Sequence, residues 1–120
     1  MKIAFSTAGN DLNAPLDTRF GRAARFLIVD SETDAFTVID NAQNLQAAQG
    51  AGIQSAQNVA ASGAQALVSG HCGPKAFRVL SAAGIKAYTS SAATVKDALA
   101  QFRAGELAEL KSADVEGHWA

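Results

Sequence analysis

The stretch Ala66–Phe77, A-L-V-S-G-H-C-G-P-K-A-F, constrains this chain more than any other. Ala66–Ser69 is a short apolar run, long enough for one buried strand. Gly70 and Gly73 bracket His71 and Cys72, which leaves the backbone free to turn tightly and to approach a ligand. Pro74 suits the first position of a helix, and Ala76, Phe77, Leu80 and Ala83 recur behind it at helical spacing. The pattern predicts a strand that empties through a His-Cys pair into a helix N-terminus. Such a mouth offers a soft sulfur, an imidazole and bare backbone N–H groups to one ligand.

The flanking chain predicts what this unit is built into. Lys2–Ala8 reads as an opening buried strand, and Gly9–Gly21, with its Gly, Asn, Asp and Pro, as a loop. Ala24–Asp30 and Phe36–Asp40 read as a hairpin across the polar turn Ser31–Asp34. Asn41–Gln49 is amide-rich and reads either as a loop supplying neutral hydrogen-bond donors or as a plain connector. Gly50–Ser62 predicts a helix burying Ile53, Ala56, Val59 and Ala60, stopped by Gly63. Gly84 closes the helix after Pro74, and Ile85–Thr89 is a further strand, so a right-handed parallel crossover follows. Thr94 caps a third helix with Asp97 at the capping-box position, Val95, Ala98, Leu99 and Phe102 form its buried stripe, and Gly105 ends it. The sum is an α/β sandwich: a mixed five-stranded sheet with helices on both faces. One domain at 1–105 is followed by an acidic, loosely held tail at 106–120, with His118 and Trp119 placed to fold back.

Charge is distributed unevenly. The chain of 120 residues has a formal net charge of −1, which argues against a general nucleic-acid binder. Yet no Asp or Glu occurs between Asn41 and Lys96, while Lys75, Arg78, Lys86 and Lys96 lie in that span. Arg19, Arg22 and Arg25 form a second basic group, close in sequence to Asp17 alone. The predicted helix opened by Gly50 and Gly52 also has no acid in its first turn, where carboxylates normally complement the helix dipole. Such a surface avoids repelling an anion. The alternative for Gly50 and Gly52 is close packing on the sheet. A single cysteine rules out an internal disulfide and points to a reducing cytoplasm. The N-terminus turns polar too soon for a signal peptide, and no apolar run approaches a membrane span.

The same residues limit the chemistry. Metal-dependent hydrolysis needs several carboxylates around one centre, and the middle of the chain supplies none. One Cys and two His do not close a tetrahedral zinc site within a single chain. No phosphate-loop or dinucleotide fingerprint is present. His71 and Cys72 are adjacent, and neighbouring side chains usually diverge, so a nucleophile–base pair is disfavoured. Cys72 reads as a small buried hydrophobe or a metal ligand, and His71 as a loop-capping histidine or a ligand. What remains is binding, by soft donors, helix N-termini and Arg/Lys side chains, of a large polarisable anion.

Four motifs then carry a family likeness: D-T-R-F-G-R-A at Asp17–Ala23, N-A-Q-N at Asn41–Asn44, A-Q-G-A-G-I-Q-S-A at Ala48–Ala56, and S-G-H-C-G-P-K-A-F at Ser69–Phe77. Each is weak alone; in this order and register they resemble the dinitrogenase iron–molybdenum cofactor biosynthesis family, over roughly Met1–Gly105. The resemblance implies a ribonuclease-H-like fold with no nuclease activity, and the chain is expected not to be an enzyme. It implies non-covalent binding of a molybdenum–copper–sulfide anion in one branch, or of an iron–molybdenum cofactor precursor in another. Carried over by position, the cofactor-binding residues are Arg19, Phe20, Arg22, Gly50, Gly52, His71, Gly73 and Lys75. His71 and Cys72 are the candidate metal ligands. At Cys72 the family pattern is commonly apolar, so this chain adds a sulfur where the cluster would sit.

Two further readings compete with a carrier or assembly scaffold. One is a non-metal regulatory or protein-interaction module, with partners in cofactor delivery, redox control or cell division, acting through the tail and Trp119. The other is a thiol enzyme at Cys72, which would require a depressed thiol pKa.

Overall fold

In the computed structural model, which describes residues 1–41 and 51–110, the chain forms one mixed sheet flanked by three helices. The strands are β1 (Lys2–Thr7), β2 (Arg25–Asp30), β3 (Phe36–Asp40), β4 (Ala66–Ser69), β5 (Lys86–Thr89) and β6 (Ala108–Glu109). The helices are α1 (Ala51–Ala61), α2 (Pro74–Ala82) and α3 (Val95–Arg103). Strand order is β3-β2-β1-β4-β5-β6. β1, β4 and β5 run parallel, β2 is antiparallel to both β1 and β3, and β6 is antiparallel to β5.

The sheet therefore has six strands rather than five. The sixth is two residues long, and pairs Ala108 with Thr89 and Glu109 with Tyr88. So short a strand carries no alternation to read; it forms because β5 presents an open edge and Leu110 N–H reaches the Ala87 carbonyl at 2.8 Å.

Strand alternation divides the core in two. Ala4, Phe26, Ile28, Leu67 and Ala87 pack with Ala56 and Val59 of α1 and Ala76 and Leu80 of α2. Ile3, Phe5, Leu27, Val29, Ala66 and Val68 pack with Val95, Ala98 and Leu99 of α3 on the other face. The glycines expected to stop the helices, Gly63, Gly84 and Gly105, all have positive φ. At Gly84 this lets Ile85 N–H return to the Leu80 carbonyl at 2.9 Å, which closes α2 and aims the chain into β5.

Thr94 caps α3 as its spacing predicts, its hydroxyl accepting the Asp97 N–H at 3.1 Å. Thr94→Ala is expected to cost about 1 kcal/mol in urea unfolding, with no change in the slope of the transition.

The topology sets one edge of the sheet apart. Thr7 pairs with Arg25 and Arg25 with Asp40, so β1 and β3 end together, and β4 and β5 end beside them at Ser69 and Thr89. α2 and α3 start at this edge. α1 starts there too, because it leads back to Gln65, whose N–H meets Lys2 at the opposite end of β1. Ligands of open α/β sheets bind outside these carboxyl ends.

A candidate anion-binding edge

The loop between β1 and β2 is held on both faces of the sheet. Leu16 is buried among the α3-side residues, and Phe20 among the α1/α2-side residues. The three residues between these anchors, Asp17–Arg19, must cross the end of the sheet, and Thr18 and Arg19 are exposed there. A 3-10 turn at Phe20–Arg22 follows and packs against α1.

The His71 loop comes to meet it. Arg19 and His71 form a parallel bridge. His71 N–H donates to the Thr18 carbonyl at 2.8 Å, and Phe20 N–H to the His71 carbonyl at 3.4 Å. Gly70 makes this approach feasible. A Cβ there would lie 2.5 Å from both the Thr18 Cβ and its carbonyl oxygen. The sequence marks Gly70 for a tight turn and a close approach to a ligand; its local pattern holds nothing about the backbone that passes over it.

The expected site residues divide accordingly. Arg19 and His71 are exposed and adjacent at the edge, and Lys75 is exposed in the first turn of α2. Arg22 is half-buried in the 3-10 turn. Gly73 is the N-cap of α2 and Gly52 lies in the first turn of α1, both buried. Gly50 lies outside the described residues. Phe20 and Cys72 instead point inward. Phe20 is 1% exposed, with its ring 5.4 Å from that of Phe26. Cys72 is 2% exposed within the α1/α2-side core, its Sγ 3.8 Å from the Gly73 carbonyl.

Electrostatics separate the helices. α1 and α2 have no acid in the first turn, and no side chain caps α2 at Gly73. α3 is closed: Asp97 sits in its first turn, and the Val95 and Lys96 N–H groups donate to the carbonyls of Ala14 and Leu12 at 2.9 and 2.8 Å. The positive ends of α1 and α2 therefore remain uncompensated by acids of their own first turns, whereas that of α3 is already used. One acid does stand at the edge, two residues before Arg19 in the same loop. Asp17 Oδ1 accepts the Arg19 N–H at 2.9 Å and lies 3.7 Å from Arg19 Nε, which orients the arginine and offsets part of its charge. Between the ends of β4 and β5, Thr18, Gly70, His71, Thr89, Ser90 and Ser91 line an open cleft of about 360 Å³ with no carboxylate in its wall.

A family model described as dinitrogenase iron–molybdenum cofactor matches residues 1–105. The chain belongs to that family. The structure is similar to the apo form of the orange protein from Desulfovibrio gigas, with a TM-score of 0.91 and 40% identity, covering 95% of this chain and 96% of that one. It is also similar to a NifB-like protein from Thermotoga, with a TM-score of 0.83 and 34% identity over 97% and 98% of the two chains. An uncharacterized protein of Methanocaldococcus jannaschii is 30% identical over 110 residues, 89% of either chain.

Within this dinitrogenase-cofactor fold, one motif that the sequence marks has an internal role. Asn41 is buried; its Nδ2 donates to the Ala23 carbonyl at 2.8 Å and to Ser55 Oγ at 2.9 Å, and its Oδ1 accepts from Asn58 Nδ2 at 2.8 Å. The amide so ties the exit of the arginine turn to α1. Residues 42–49, the rest of the amide-rich segment, lie outside the described residues. Among the described residues no group of three or more His, Cys, Asp or Glu side chains converges as a metal site. None of their helices is long and apolar enough to cross a membrane.

Proposed function

We propose that this protein is a non-catalytic carrier or assembly scaffold for an anionic molybdenum–copper–sulfide cluster. One observation carries the reading: the Arg19 loop and the His71 loop are bridged at the same sheet edge where α1 and α2 begin without acids in their first turns. The donor set suits a cluster held from outside by charge and hydrogen bonds. Arg19 and Lys75 supply cations, His71 an imidazole donor, and α1 and α2 their positive ends. Cys72 and Phe20 serve the core in this reading, so the cluster keeps its own sulfide ligands. The ribonuclease-H-like description of the sheet and a reducing, cytoplasmic setting belong to the same proposal. The family's description favours a second cargo, an iron–molybdenum cofactor precursor, at the same edge.

Tetrathiomolybdate and copper added to the protein should give a visible charge-transfer band that co-elutes with it on gel filtration. Elution of colourless protein, with free cluster washed away, would sink the proposal. Metal analysis of protein from its native host separates the cargoes: molybdenum with copper favours the first, molybdenum with iron the second. Arg19→Glu and Lys75→Glu should each weaken retention about tenfold, the scale of one hydrogen bond to a charged group. Raising the salt to about 1 M should weaken retention by the unsubstituted protein as well, since both side chains are exposed.

A further inference from the structure

Two buried serines stand at the same edge, Ser6 as the last residue but one of β1 and Ser69 as the last of β4, fully buried and 3% exposed respectively. Their neighbours along the strands, Phe5 and Val68, are apolar and fully buried, and two hydroxyls in such surroundings are costly unless bonded. The bonds they make join β1 to β4 and tie both to the loop beyond them. Ser6 Oγ lies 2.8 Å from Ser69 Oγ and donates to the Asp17 carbonyl at 2.5 Å, and Ser69 Oγ stands 3.5 Å from the same carbonyl. The Ser6 carbonyl meanwhile accepts the Asp17 N–H at 2.8 Å. Both backbone groups of Asp17 are thus gripped from Ser6. The next residue, Thr18, accepts the His71 N–H, and Arg19 follows in its bridge with His71.

From this chain of contacts we infer that Ser6 and Ser69 are positioning residues, a hydroxyl clip that sets the Arg19 loop against the His71 loop and so holds the anion-binding edge in register. The inference rests on the proposed carrier reading for its functional consequence, but the clip itself is testable without any cargo. Ser6→Ala and Ser69→Ala add no atom and leave both strand cores intact. In each variant the Asp17 and His71 amides should exchange with deuterium about tenfold faster, while Val68 and Leu80 exchange as before, because local opening is independent of global unfolding. Retention of the thiomolybdate–copper cluster should fall about fivefold, with a displaced absorption band.

Unchanged exchange at Asp17 and His71 overturns the clip. So does equal acceleration at Val68 and Leu80, which would make the serines general stabilisers. If the unsubstituted protein holds the cluster, variants that retain it equally well also overturn the positioning role. If the unsubstituted protein holds none, the carrier reading fails, while selective exchange at Asp17 and His71 would still uphold the clip.

Discussion

Phe20→Ala is expected to destabilise the protein by about 3–5 kcal/mol, the usual loss for a buried phenylalanine. The ring is 1% exposed and rests against Phe26 within the α1/α2-side core, so its removal leaves a cavity with little means of collapse. Against a typical total stability of roughly 5–15 kcal/mol, this is a large share. The family resemblance puts Phe20 among the cofactor-binding residues; the structure turns its ring into the core instead. Thermal and urea unfolding decide between the two. Phe20→Leu should recover most of the stability and all of the cluster retention. A Phe20→Ala protein as stable as its parent but unable to hold the cluster would return the ring to the binding edge.

Gly70→Ala is expected to act on the edge itself. The new methyl carbon would stand 2.5 Å from the Thr18 carbonyl oxygen and 2.7 Å from the Thr18 Cα, and backbone of a bridged loop has little room to yield. Overpacking of this kind costs about 1–3 kcal/mol. The larger consequence is geometric: relief of the clash separates Thr18 from His71 and breaks the Arg19–His71 bridge. Cluster retention should fall by more than about tenfold, with faster exchange of the His71 amide as the structural readout. Gly70→Ala with normal retention would mean that the two loops need not touch to bind.

Much of the fold is legible in the sequence because its signals are local. Gly63, Gly84 and Gly105 end the helices, Thr94 caps α3, and the apolar runs at Ala4, Leu27 and Val68 mark three neighbouring strands. The sheet edge that gathers the loops follows from strand–helix–strand order alone. β6 is not legible, since Ala108–Glu109 takes its structure from the edge of β5 and not from its own pattern. Nor does a pattern disclose which way a loop residue faces. Arg19 and Phe20 are neighbours in one motif, yet one is exposed and the other buried. That choice follows from Leu16 and Phe20 being pinned on opposite faces of the sheet.

The carboxylate-free stretch has the same two-sided lesson. It reads as an anion-tolerant surface, and the first turns of α1 and α2 fall within it. Asp17, which precedes that stretch and is legible beside Arg19 in the sequence, offsets part of the charge at the edge, and the start of α3 is closed by carbonyls from a distant loop. By itself, then, the sequence determines the family, the order of the helices and of the first five strands along the chain, and where the cationic and glycine-flanked segments fall. These depend on spacing and on residue type within a turn or two. Tertiary structure alone decides that Cys72 and Phe20 face inward, that Ser6 and Ser69 meet on Asp17, and that Arg19 stands beside His71. Those outcomes depend on contacts between residues as many as 63 positions apart, and a side chain's direction is set by whichever partner the fold brings to it.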